Sequence, residues 1–266
     1  MPAVAGRPWI PQSVKDQGPD PARPLVRCSA IIASLGCVAG YPEDRTSTDR
    51  VAIVTGGSRG IGCEIARNLA RRGYAVVINY LRDQLAADAA IEEILDANGT
   101  AVAVRADVAD ELDVERLFYV TSEEFGGVDI VIHAAGQMNL HPPFDDNLDA
   151  FDALLTTSVR GMLVVNQLAA RQLRQGGAIV NLFRGSAATA YSNLAAYTIC
   201  KIAVAGITLM LGDELGGRDI TVNGVAALNG RSDTLAGAAN VVAFLVGAEG
   251  HTVNGQVIRA AAGAIG

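Results

Sequence analysis

Residues 51–62 read Val51-Ala-Ile-Val-Thr-Gly-Gly-Ser-Arg-Gly-Ile-Gly62, an apolar β-branched run that breaks into a glycine-rich turn and continues as a helix. Val51 to Val54 suit a strand buried on both faces, as in a parallel sheet. Gly56, Gly60 and Gly62 supply a turn without side chains and a helix start that can lie close to its neighbours. Such a turn fits a pyrophosphate, because the free N–H groups at a helix N-terminus point at an anion and glycine lets it approach the main chain.

Outward from this stretch the chain alternates between strand and helix patterns. Strands are expected near 51–55, 75–79, 101–105, 128–133, 178–183, 219–223 and 255–259. Helices are expected near 60–72, 83–98, 110–125, 145–175, 194–215 and 236–247. This alternation predicts an α/β fold, a doubly wound Rossmann-type parallel sheet of about seven strands in a single domain over residues 50–266. An open sheet of that kind binds its ligand beyond the carboxyl ends of its strands.

Residues 1–49 differ: they hold seven of the nine prolines and sustain neither periodicity, and so read as a flexible extension. Within them Cys28 to Gly40 resembles the apolar core of a signal peptide but is too short to span a bilayer. A docking segment, or residues ahead of the true start, are the alternatives. The 266 residues carry a formal charge of −7 and are 50% hydrophobic, with mean hydropathy +0.27 and pI near 5.0. That balance argues against nucleic acid or an anionic membrane as partner. Cys28, Cys37, Cys63 and Cys200 are scattered without metal-ligand spacing, which fits reduced thiols in the cytoplasm and no metal site.

The second strand ends at Asn79 and Tyr80 without a carboxylate, and Arg82 follows. A carboxylate there would accept from a ribose 2′-hydroxyl, whereas arginine pairs with a 2′-phosphate, so Arg82 and Arg59 favour NADPH/NADP+ over NAD(H). Asp107, beside Val108, could accept from an adenine amino group or simply begin a helix. His133-Ala134-Ala135-Gly136 closes the fourth strand, with Gly136 open to a cofactor ring. Ser58 and Ile61 complete the expected cofactor contacts around Gly56, Gly60 and Gly62. Tyr197 and Lys201, four apart on an expected helix, share a face. An ammonium beside a phenol favours phenolate and equips it to exchange a proton with a carbonyl oxygen.

Thr55-Gly-Gly-Ser-Arg-Gly-Ile-Gly62, Asp107-Val108, Ala134-Ala-Gly136, Tyr197-x-x-x-Lys201 and Ile220-Thr-Val-Asn223 occur in an order and spacing that resembles the short-chain dehydrogenases/reductases. The likeness is nearest to the NADPH-dependent 3-oxoacyl-acyl-carrier-protein reductase type and covers residues 51–266. It implies hydride transfer between nicotinamide and a ketone or secondary alcohol, with Tyr197 as acid/base and Lys201 binding the nicotinamide ribose. It further implies a serine at the end of the fifth strand and an asparagine in the preceding long helix. Those positions fall on Arg184, with Ser186 two residues on, and on Ser158. Ala227-Leu228 stands where the family carries Pro-Gly, and the substrate lid beyond is shortened. Two readings follow: a working carbonyl reductase with a small-molecule substrate, or a catalytically weakened cofactor-binding protein acting as sensor, scaffold or partner subunit. The apolar residues Leu163, Val164, Ile207, Leu209 and Leu211 on helices that the family pairs between subunits imply a homo-oligomer, dimer or tetramer.

Overall fold

The computed structural model describes residues 50–136, 148–184, 195–227 and 232–260, the side chains at 184, 195–197 and 232–234 excepted. The Pro-rich extension, Ser186 and most of the expected lid region lie outside the described residues.

Seven strands form one sheet: β1 (Val51–Thr55), β2 (Ala75–Tyr80), β3 (Thr100–Arg105), β4 (Val128–His133), β5 (Leu173–Arg184), β6 (Thr221–Ala227) and β7 (Val257–Ala260). Their order is β3-β2-β1-β4-β5-β6-β7 and every pairing is parallel. The helices are α1 (Gly60–Arg71), α2 (Gln84–Asp96), α3 (Glu111–Phe125), α4 (Leu148–Leu155), α5 (Gly161–Gln172), α6 (Ala195–Leu215) and α7 (Ser232–Val246). The doubly wound sheet expected from the sequence is therefore the fold. The sixth strand starts and ends later than 219–223, and the helix expected over 145–175 is two helices joined by a π-helical turn, Thr156–Arg160.

Alternation along each strand divides the core. Ala52 and Val54 pack on one face with Ile65 and Leu69 of α1, Ile91 of α2 and Val242 of α7. Ile53, between them, faces Leu117 and Phe118 of α3, Val165 of α5 and Leu211 of α6. Burying both sheet faces demands the continuous β-branched runs that the sequence carries. Beneath the sheet, Arg50 donates to the carbonyls of Val246 at 2.6 Å and Gly176 at 2.9 Å. The buried carboxylate of Asp129 accepts from Val51 N at 2.8 Å and pairs with Arg174 at 3.1 Å. The first strand is thus fastened to segments far along the chain. Side-chain caps set two helix starts: Asp83 accepts from Ala86 N at 3.0 Å and Asp110 from Asp113 N at 3.1 Å.

β1 and β4 are neighbours, and the chain winds outward from them in opposite directions. Ligands of open α/β sheets bind in the crevice at such a switch point.

Candidate cofactor and active site

A cleft of about 690 Å³ opens at the carboxyl ends of the strands, from the glycine turn to α6. Gly56, Ser58, Arg59, Gly60, Ile61 and Gly62 form its floor. Asn79, Tyr80, Arg82, Asp107 and Val108 line one end, and His133, Ala134, Ala135, Gly136, Ser158 and Lys201 the other. The structure brings these sequence-predicted residues together in one cavity. Arg184 ends β5 opposite Ala227 of β6, and Tyr197 lies in α6 one turn before Lys201. Their side chains lie outside the described ones, as does all of Ser186.

The glycines are required by contact. Gly56 has φ +63°, and a Cβ there would stand 2.9 Å from Ala135 Cα. A Cβ on Gly62 would run into the carbonyl oxygen of Gly56, so only glycine lets α1 begin against the turn. The first turn of α1 carries no acidic side chain, and no side chain caps it, which leaves its positive end to the cleft. These features fit a dinucleotide pyrophosphate.

Asn79 works inside the wall. Its Oδ1 accepts from Gly56 N at 3.4 Å and its Nδ2 donates to Ala106 O at 2.9 Å. With 2% of its surface exposed, it ties the glycine turn to the end of β3. Recognition beyond β2 is left to the loop that follows. There Arg82 lines the cleft, and the exposed Arg59 lies 3.8 Å from Asp83. Asp107 spends one carboxylate oxygen on Ala109 N at 2.9 Å, while its own N–H donates to Asp113 at 2.8 Å. Those bonds hold the wall that Asp107 and Val108 present.

Thr55 organises the opposite wall, a role the sequence reading missed because a threonine ending a strand looks like any β-branched residue. Its Oγ1 accepts from the amides of Ala134 and Ala135, both at 3.1 Å, and lies 3.2 Å from His133 Nδ1. Burial pushes the His133 imidazole down to about 4, opposed by a backbone hydrogen bond at Ala135. His133 is therefore neutral at pH 7.

Ser158 sits in the π-helical turn, and a Cβ on Gly136 would lie 3.9 Å from its Oγ. π-bulges of this kind occur frequently at functional sites. Lys201 is 3% exposed, and burial lowers its amine pKa. Leu182, Phe183, Cys200, Val204 and Ala227, none of them expected from the sequence, make the inner end apolar. Burial raises the Cys200 thiol pKa, so it acts as packing. α7 starts at Ser232, leaving residues 228–231 as its connection to β6.

A family model described as short chain dehydrogenase matches residues 50–237. A hydroxynaphthalene reductase-like protein of Metarhizium robertsii is 36% identical over 183 residues, 68% of this chain and 68% of the relative. A short-chain dehydrogenase from Burkholderia cenocepacia, solved in complex with NADP, superposes with a TM-score of 0.75 at 34% identity, covering 81% of this chain and 97% of that one. The landomycin C-6 ketoreductase LanV, solved with NADP and rabelomycin, gives a TM-score of 0.75 at 30% identity, covering 80% and 95%. No described helix is long and apolar enough to cross a membrane.

Proposed function

Because the chain belongs to the short-chain dehydrogenase family, we propose that its cleft holds NADP(H) and that it interconverts a ketone and a secondary alcohol. The observation that carries this reading is the buried Lys201 at one end of a cleft whose floor is the glycine turn, on the same helix as Tyr197. When bound, the cofactor supplies a hydride to the carbonyl carbon, or takes one from the carbinol carbon. Tyr197 gives its phenolic proton to the carbonyl oxygen during reduction and recovers a proton afterwards. The Lys201 ammonium beside it favours phenolate and bonds the nicotinamide ribose. Arg82 and Arg59 take the 2′-phosphate, for which Arg59 exchanges its long pairing with Asp83.

The substrate class is a ketone that enters at the apolar inner end of the cleft. That a relative is named for hydroxynaphthalene and a structural neighbour was solved with rabelomycin supports testing fused-ring aromatic ketones beside 3-oxoacyl thioesters. The experiment follows NADPH binding by fluorescence, then loss of reduced-nicotinamide absorbance with both ketone types. Turnover on at least one, abolished in Tyr197→Phe, is the expected result.

A second reading has its own observation. Arg184 ends β5 where the family resemblance implies a serine, and only residues 228–231 separate β6 from α7. Loss of one oxyanion donor costs on the order of 10²–10³ in turnover. Tight NADPH binding with no turnover on any ketone would favour the cofactor-binding sensor, scaffold or partner over the reductase.

The chain also assembles with copies of itself in this reading. Ile199, Ile202, Leu209 and Met210 of α6 are each about half exposed or more. Leu211, by contrast, is spent in the core, and Leu163, Val164 and Ile207 are partly buried.

A further inference from the structure

A row of buried polar side chains runs between the sheet and helices α5 and α6, and its protons can be assigned from both ends. At one end Thr208 Oγ1 donates to Val204 O at 2.8 Å. Its proton spent, it accepts from Asn181 Nδ2 at 3.1 Å. Asn181 Oδ1 then accepts from Asn166 Nδ2 at 3.1 Å, so Asn166 is left presenting its Oδ1, a buried acceptor with no partner among the described residues.

At the other end Thr55 Oγ1 accepts from the amide of Ala135 and from that of Ala134, which it shares with the Thr55 carbonyl oxygen at 3.2 Å. Its remaining proton has one destination in this row, His133 Nδ1 at 3.2 Å. A ring nitrogen that accepts is bare, so the neutral imidazole carries its proton on Nε2. Nε2 is also buried, and no hydrogen bond of ordinary geometry reaches it among the described residues, the Ala135 backbone contact that opposes the His133 shift falling outside that geometry. His133 and Asn181 are register partners on β4 and β5. The two half-chains thus end beside the same residue, one on a donor and the other on an acceptor.

We propose that His133, fixed as the Nε2–H tautomer, is a positioning residue for the cofactor wall, and that one buried water joins its Nε2–H to Asn166 Oδ1. A proton on Nδ1 would bring Thr55 Oγ1 a third donor and leave the hydroxyl's own proton without an acceptor in this row. The Ala134–Gly136 turn has no slack to make way for that donor, since Gly56 already lies too close to Ala135 for a methyl group between them. A single water accepting from one orphan and donating to the other satisfies both, and buried waters characteristically bridge groups of this kind. The positioning role rests on the reading that a dinucleotide occupies the cleft; the tautomer does not.

The test uses the full chain, ¹⁵N-labelled, with the His133 ring signals identified by their loss in His133→Asn. The expected spectrum at neutral pH places the proton on Nε2; a proton on Nδ1 overturns the assignment. NADPH titrations then compare two variants. His133→Phe removes the acceptor from Thr55 and is expected to weaken binding about tenfold or more. His133→Asn offers a carboxamide oxygen to the same hydroxyl and is expected within about threefold of wild type by the same hydrogen-bond scale. A packing role alone would lower both melting temperatures without separating the two dissociation constants, and unchanged NADPH affinity in folded His133→Phe overturns the positioning role. If the wild type binds no dinucleotide, the cofactor reading itself fails, while the spectrum still judges the tautomer. A crystal structure is expected to show an ordered water between Nε2 and Oδ1; any other occupant there overturns the bridge.

Discussion

At Gly62 one methyl group decides whether α1 can begin against the turn. Gly62→Ala forces its Cβ onto the Gly56 carbonyl, a backbone atom that cannot swing aside. We expect a loss of roughly 1–3 kcal/mol in urea unfolding, the usual cost of overpacking, together with weaker NADPH binding. His133 makes a second prediction at this scale. Its pKa is about 4 when folded against an ordinary 6.5, so as pH falls the unfolded chain takes up a proton before the folded one. The stabilisation is complete above pH 6.5 and is lost progressively between there and about 4. At 1.36 kcal/mol per pKa unit this amounts to something on the order of 3 kcal/mol. No charged group contributes to the shift, so the effect belongs to burial. Urea unfolding at pH 7 and pH 5 should therefore show a smaller pH dependence in His133→Asn than in the wild type.

Helix starts and the loop after β2 invite tests of their own. Asp110 caps α3 through Asp113 N at 3.1 Å, and Asp110→Ala is expected to cost about 1 kcal/mol by thermal unfolding. Replacing Arg59 of the glycine turn and Arg82 of the loop together by alanine should cut the preference for NADPH over NADH by roughly 10-fold or more, the scale of charge-assisted hydrogen bonds. Titrating the variant with both cofactors checks this, and an unchanged ratio would count against the 2′-phosphate reading. Elements of this kind were legible in the sequence to different degrees. β1 to β4 read clearly because β-branched runs stop at glycine or polar turns, and α1 because the glycines mark its start. The break at Thr156–Arg160 did not, since a π turn changes hydrogen-bond spacing without changing residue type. Nor did the inward turn of the Asn79 carboxamide or the work of Thr55. Both depend on strands brought together across the sheet, which periodicity along one strand does not encode.

For the molecule as a whole, the half-exposed stripe on α6 is the main test of assembly. Light scattering should report more than one chain per particle, and Ile202→Glu combined with Met210→Glu should shift it toward the monomer. The same parallel architecture reaches back to synthesis. Thr55 meets His133 across 78 residues of sequence. At the usual rate of 5–20 residues per second, the ribosome takes roughly 4–16 s to add that length. Through that interval the nascent glycine loop has emerged without the wall that shapes it, so nucleotide cannot guide the early folding of this chain. Ligand can reward only a chain already half made.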